Sequence, residues 1–360
     1  LYQTLDNLIN NKSRLLNLQK KNYRNFKFTH KFIAKIIDEI RSQFQSKKQS
    51  ISISRNLNKI LKILHITNFN DRFNGRLHYN TGRRINNGFV RLGHNVLSIS
   101  DRDIVSKSKN IRDPNGHKKL QSVIIESYNN FKPDLVILGH ADAVSNKTLD
   151  YLKSRNKDLR ISQWFLDPLG KFGPDYLKNS NRILDKKHFM DATFLTTDPN
   201  SLSLDINNTF FIPNPCDHSF ETLKNYEKKC ENDVFFAMSH GVHRGVLKRR
   251  KFDDREIFLN KLIKATPNIR FDLYGMNEIQ PIWADDYLLA ISQSKIGLNL
   301  SQGKAAKYYS SDRFSQLIGN GLLVMIDEKT KIGNFFNKDE IVLYNNISDL
   351  SEKIIKYSND

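Results

Sequence analysis

The 360-residue chain is 39% hydrophobic and 26% charged, an ordinary globular mix that excludes a disordered or fibrous protein and suffices for two or three cores. No run of about 18 apolar residues occurs, so no membrane-spanning helix is expected; Cys216 and Cys230 form no CxxC pair and no metal spacing, and are expected as free thiols. The formal charge of +19 raises nucleic acid or an anionic membrane as partners, but residues 1–60 hold 13 basic against 3 acidic residues while the other 300 hold 44 against 35.

The basic segment reads as helix. Leu5, Leu8, Ile9, Leu15 and Leu16, then Phe32, Ile33, Ile36, Ile37 and Ile40, recur at the three-to-four spacing of amphipathic helices. Residues 1–58 are therefore expected to form a helical arm that packs on the body, self-associates or touches a membrane surface. Charge alone does not make it a nucleic-acid site, and none is expected. The chain begins at Leu1, so it is expected to start inside a longer protein.

From Leu61 the texture changes to alternating strands and helices. "LKILHI" reads as a strand, a polar loop "TNFNDRFNGRLHYN" follows, and a helix over about 80–92 stops at Gly93. Strands at "NVLSIS", "DLVILG", "LRISQWF", "ATFLTT" and "TFFIPN" follow, with helices near 117–131 and 146–155. The two prolines of "IPNPCDHS" then break the rhythm. It restarts with strands at "DVFFAMS", "NIRFDLYG", "KIGLNLS", "GLLVMID" and "EIVLY", and helices at 252–265 and 284–294, before the glycines within 308–326, and at the C-terminus. Such alternation predicts parallel sheets covered on both faces. The reading is an α/β chain of two Rossmann-like doubly wound domains, 59–212 and 219–360, joined by a hinge at 213–218, with ligands bound at the carboxyl ends of the strands.

The loop after the first strand of the second domain, "SHGVHRGVLKRR", combines glycines with cations beside a helix start. Backbone donors and cations together offset phosphate charge, so this loop is a candidate diphosphate site, with Arg244 and Lys248 its foremost residues.

Two Rossmann-like domains, a "PNP" hinge, this basic loop and "DRFSQLIGNGLLVMID" together resemble a GT-B glycosyltransferase of the bacterial glycosyltransferase family 1 or CgeB-like group, over roughly 60–358. The resemblance implies that the second domain binds a nucleotide-sugar donor and the first an acceptor, a saccharide, lipid or protein. It places Arg313 and Gln316 on an Arg-x-x-Glu motif whose acid holds the ribose, with Asp312 at the helix start and Gly321 before the next strand. Gln316 departs from the pattern: an amide still makes hydrogen bonds but lacks the charge that strengthens them. The earlier acid of the longer motif falls on Tyr308 and is absent. Tyr274 and Gly275 fall where the nucleotide base is expected.

In the first domain, "VILGHADAVS" puts His140 and Asp142 just beyond a buried strand, and "QWFLDPLG" puts Asp167 beyond the next. A base is needed to deprotonate an acceptor hydroxyl, and His140 suits by its ordinary pKa. Asn70, Asn74, Gly75 and Arg76 lie in the first loop, positioned for the transferred sugar or acceptor. "SDRDI" contains a three-residue acidic pattern at Asp101 and Asp103 that recurs by chance. No metal and no cofactor are expected, the nucleotide sugar being a substrate.

The activity expected is transfer of a sugar, with a location in the cytoplasm or at the membrane periphery, in cell-surface polysaccharide synthesis. The alternatives are a nucleotide-sugar epimerase of the same fold and a nucleotide-sugar-binding protein without turnover.

Overall fold

The structure is a computed structural model and describes residues 12–25, 30–43, 59–171, 173, 175–239, 253–337 and 339–359. The chain divides into two compact units. An N-terminal unit comprises Phe28–Leu169 and Asp175–Asp217; a C-terminal unit comprises Leu1–Lys27, Gly170–Pro174 and His218–Asp360. The main boundary falls between Asp217 and His218, inside the proline-flanked segment.

Two helices precede the sheets: α1 (Lys12–Asn25), which belongs to the C-terminal unit, and α2 (His30–Gln43), which belongs to the N-terminal unit. Lys21 on α1 pairs with Asp339 at 3.0 Å, and Tyr23 meets Tyr226 with ring centroids 5.4 Å apart. Ile33, Ala34 and Ile37 on α2 are at most 1% exposed and share a core with Leu61, Ile63, Phe89 and Phe194. Of the readings expected for this segment, packing on the body, self-association or membrane contact, the apolar face of α2 takes the first: it is buried in the chain's own core.

The N-terminal sheet contains β1 (Lys62–Thr67), β2 (Asn95–Ser100), β3 (Leu135–Gly139), β4 (Arg160–Phe165), β5 (Ala192–Leu195) and β6 (Thr209–Phe211). All its pairings are parallel, in the order β2-β1-β3-β4-β5-β6. Every residue of β3 is buried, as expected for a strand covered on both faces. The covering helices are α3 (Thr81–Arg91), α4 (Asp101–Lys107), α5 (His117–Phe131), α6 (Asn146–Arg155) and α7 (Tyr176–Leu184). Asn80 and Ser145 start α3 and α6 by accepting from the N–H groups of Arg83 and Thr148. The sequence pattern does not reveal α4 or α7. The first is only seven residues long, and the second begins just after the proline- and glycine-bearing stretch at 168–174.

The C-terminal sheet contains β7 (Asn232–Ala237), β8 (Phe271–Tyr274), β9 (Ser294–Asn299), β10 (Leu323–Asp327) and β11 (Val342–Tyr344). It too is parallel, in the order β11-β10-β9-β7-β8. Its helices are α8 (Asp254–Ala265), α9 (Ala284–Ser292), α10 (Asp312–Gly319) and α11 (Ile347–Ser358). Val234, Phe236, Ile296, Leu298, Leu323 and Met325 face α8 and α11 through one contiguous core. The order reverses direction beside β7 and β9, the switch point at which doubly wound sheets open a crevice. The fold is therefore α/β with two Rossmann-like units. Among the described residues no helix is long and apolar enough to cross a membrane, and both cysteines are buried free thiols.

Truncating Ile37 to alanine should lower the unfolding free energy of the N-terminal unit by about 2–4 kcal/mol, as for other buried isoleucines. Urea titration of the full chain measures this. An unchanged transition would mean that α2 is a detachable arm after all.

Candidate functional site

Because each sheet is parallel, its strands all end on one edge, and the residues just beyond those ends converge. In the N-terminal unit this edge holds Ser100–Asp103, His140, Asp142 and Asp167. Asp142 accepts from Arg102 Nη2 at 3.1 Å and pairs with Arg182 Nη2 at 2.9 Å. Arg182 Nη1 also approaches Asp167 at 3.7 Å, and His140 Nδ1 lies 3.6 Å from the same carboxylate. The sequence reading missed both arginines. Arg102 sits between the two acids of "SDRDI", and Arg182 lies on the helix the pattern did not reveal.

His140 does not suit the role of general base. The Leu166 N–H donates to its Nε2 at 2.8 Å, so the proton resides on Nδ1 and no ring lone pair is left over. The ring stacks on Phe165 at 4.1 Å with a 1° interplanar angle. Burial, with help from the charge of Arg102, pushes its pKa down to about 3. It is a neutral, fixed group with its backbone in the left-handed region at φ 49°. Asp167 fits the base role better. Its contacts to Arg182 and His140 are longer than hydrogen bonds, its side chain is 46% exposed, and burial raises its pKa against the pull of Arg182. Asp142 is held by two guanidinium groups and is less suited.

The first loop is shaped by Asp103. This carboxylate accepts from the N–H groups of Asp71 (2.7 Å) and Arg72 (3.2 Å), from Arg72 Nη1 (2.7 Å) and from the Ser100 hydroxyl. Burial alone would raise its pKa, but the bonds from Ser100 and Arg72 hold it below the usual range. Asp103 thus serves as a loop clamp. Asn70 and Asn74 adopt left-handed backbone at φ 64° and 51°, and Gly75 at 88° with open space where a Cβ would sit. Asn70 Oδ1 accepts from Asn68, and the Arg76 guanidinium lies 4.9 Å above the Phe73 ring. Asn74 and Gly75 are exposed and Arg76 half-buried.

Asp101 is of another kind. It is fully buried, with neither carboxylate oxygen in a hydrogen bond. Burial pushes its pKa up to about 6, against the partial relief of the neighbouring Arg102. Among the described residues no group of three His, Cys, Asp or Glu could hold a metal ion.

In the C-terminal unit, Arg313 and Gln316 on α10 both have partners within the chain. Arg313 Nε donates to the Ala237 carbonyl at 2.8 Å, and Nη1 donates to the Leu300 carbonyl and to Ser311 Oγ, both at 3.2 Å. Its guanidinium lies 4.5 Å above the Phe236 ring, and burial lowers its pKa to about 10. Arg313 therefore ties together the carboxyl ends of β7 and β9. Gln316 Nε2 donates to Asp312 Oδ2 at 2.7 Å, one helical turn back. The amide at the motif's acid position is thereby paired with a carboxylate one turn away.

Gly275 and Gly321 have structural reasons to be glycine. Both have positive φ, at 77° and 83°; a Cβ on Gly275 would fall 1.7 Å from the Met238 carbonyl oxygen, and one on Gly321 2.7 Å from the Tyr226 ring. Tyr274 is half-buried, and burial with the Asp272 carboxylate two residues back pushes its pKa up to about 12. Arg244 and Lys248 lie outside the described residues.

A cavity of 490 Å³ opens at the ends of β9, β10 and β11, lined by Asn299, Ser301, Asp327 and Tyr344, and by the first residues of α8 and α11. None of Tyr274, Gly275, Arg313 or Gln316 lines it. Its signal in the sequence is the lone Asn299 within the apolar run "KIGLNL".

Residues 249–360 match a family described as glycosyl transferase-like. No curated protein matches the chain. Similar solved structures include α,α-trehalose 6-phosphate synthase from Burkholderia multivorans, at 9% identity and a TM-score of 0.43, covering 84% of this chain and 89% of that one. A putative UDP-N-acetylglucosamine 2-epimerase from Listeria monocytogenes is similar at 11% and 0.42, covering 84% and 89%. T4 phage β-glucosyltransferase is similar at 12% and 0.39, covering 83% and 89%. At these TM-scores the likenesses carry no functional weight.

Asp101 gives this edge a pH signature. Its folded carboxyl holds a proton up to about pH 6, whereas an unfolded one releases it near 4, so the folded state loses stability as pH rises between these values. Replacing Asp101 with asparagine should leave stability unchanged below about pH 4 and raise it by up to about 3 kcal/mol above pH 6. Denaturant midpoints of both proteins across pH 4–8 measure the difference. A constant difference would contradict the assignment.

Proposed function

We propose that the protein transfers a glycosyl group from a nucleoside-diphosphate sugar to an acceptor hydroxyl. The observation that carries this reading is the match of residues 249–360 to a glycosyl transferase-like family. The matched residues include β9 and α10, at whose ends Asn299, Asp312 and Arg313 lie.

In this reading the C-terminal unit holds the donor. Tyr274 lies beside the base, Asp312 takes the ribose hydroxyls with Gln316 bonded to it, and Arg244 and Lys248 offset the diphosphate. The N-terminal unit supplies Asp167, which takes the proton from the acceptor hydroxyl. The acceptor oxygen bonds to the anomeric carbon as the bond from that carbon to the diphosphate breaks. The nucleoside diphosphate leaves with the electron pair, and the anomeric configuration inverts.

Asp312 as the ribose acceptor accounts for the amide at 316. A carboxylate there would face Asp312 at the same 2.7 Å contact and repel it.

Calorimetric titration of the full chain with UDP, GDP, ADP and their sugars should reveal binding by one nucleotide series. With the bound donor and an acceptor panel, Asp167→Asn should lower kcat at least 100-fold while donor affinity stays within about twofold. The acidic limb of the rate profile should lie above the usual carboxylate range, since Asp167 works only when ionised and its pKa is raised. Absence of binding by every nucleotide would refute the reading. Turnover of the donor without any acceptor, giving an epimerised sugar, would replace it.

A further inference from the structure

Ser311 occupies the N-cap of α10, yet its side chain makes no capping bond to the helix. A serine at this position ordinarily accepts from the N2 or N3 N–H, worth about 1 kcal/mol. Here the hydroxyl is engaged otherwise. It accepts from Arg313 Nη1 at 3.2 Å and bonds to Asn299 Oδ1 at 2.7 Å.

The guanidinium of Arg313 only donates, so Ser311 Oγ is the acceptor towards it, and the Ser311 hydroxyl donates in turn to Asn299 Oδ1. In this arrangement Asn299 turns its carbonyl to Ser311 and its NH2 away from it. Asn299 is 2% exposed, and its Nδ2 has no hydrogen-bond partner. Ser301 Oγ, two residues on, is likewise buried without one. Both residues line the 490 Å³ cavity. A buried amide left unpaired costs about 1–3 kcal/mol, a cost that a bound acceptor atom removes.

The charge of the cavity indicates what it takes. Lys261 and Lys329 are balanced by Asp254 and Asp327, and the Arg255 guanidinium is engaged with Asp253 at 2.7 Å. Among the described lining residues a phosphate would meet as many carboxylates as cations not already paired. A neutral ligand with both donors and acceptors would satisfy all of these groups, and Phe258, Leu300 and Tyr344 offer apolar surface for its ring.

We propose that this cavity is a saccharide subsite, in which Asn299 Nδ2 and Ser301 Oγ bond to sugar oxygens and Arg313 acts at a distance by fixing the polarity of Asn299 through Ser311. The assignment deepens the glycosyl-transfer reading by naming where the C-terminal unit holds sugar, but its test does not require turnover.

The test is saturation-transfer NMR on the full chain, with glucose, galactose, mannose and N-acetylglucosamine as probes, and with UDP, GDP and inorganic phosphate as separate probes. At least one free sugar should bind. Asn299→Ala and the isosteric Asn299→Asp should each weaken that sugar at least tenfold and leave nucleotide binding within twofold. Ser311→Ala should weaken the sugar severalfold, and Ser311→Thr, which keeps the hydroxyl, should restore it. Melting curves confirm that each variant is folded. Nucleotide binding without any sugar binding would overturn this inference alone. Sugar binding without nucleotide binding would support it and overturn the donor reading. Displacement of the sugar by inorganic phosphate, or equal weakening of sugar and nucleotide by Asn299→Asp, would overturn the saccharide assignment.

Discussion

One half-buried cation ties together the carboxyl edge of the C-terminal sheet. The carbonyl groups at the ends of two neighbouring parallel strands, β7 and β9, need partners as the chain leaves the sheet. Arg313 supplies them, with Nε on Ala237 and Nη1 on Leu300, while the Phe236 ring covers its face. Taking a guanidinium out of water is costly, and burial lowers its pKa to about 10; two carbonyl oxygens and an aromatic face offset that cost. The same group polarises Ser311, and through it Asn299. A residue that the sequence places among the ligand contacts thus acts on the site through the strand ends and a serine.

The N-terminal unit keeps its two buried histidines, His65 and His140, uncharged. His65 receives the Trp164 Nε1–H on its Nε2 at 3.3 Å and faces Asn86 Oδ1 with Nδ1 at 3.1 Å. His140 receives the Leu166 N–H in the same manner. Each bond fixes a neutral tautomer, and burial depresses both pKa values, to about 4 and about 3. At the rim, Arg102, Asp142, Arg182 and Asp167 gather charge beside them. In the proposed reaction the proton goes to Asp167, within that charged cluster.

The alternation of "LKILHI", "NVLSIS", "DLVILG" and the later apolar runs was enough to place nearly every strand and the longer helices, because a parallel sheet covered on both faces writes itself as continuous apolar stretches. Periodicity carries no hydrogen-bond direction. The sequence marked His140 as a base because histidine titrates near neutrality, while the Leu166 N–H that takes its lone pair comes from a neighbouring strand end. Gln316 was legible as an oddity but its partnership with Asp312 was not, though the two stand one helical turn apart. Asn299 carries little signal of its own, because a single polar residue near the end of an apolar run also marks a strand end. The apolar spacing of α2 was read correctly as amphipathic, but spacing does not reveal whether the covering surface belongs to the same chain.

The central claim is that the carboxyl edge of the C-terminal sheet holds the sugar nucleotide. Hydrogen–deuterium exchange of the full chain, with and without the nucleoside-diphosphate sugar that binds it, tests this directly. The account predicts slowed exchange at 299–305 and 311–316, with β5 and β6 unchanged. Slowed exchange elsewhere, with those two segments unaffected, would contradict it.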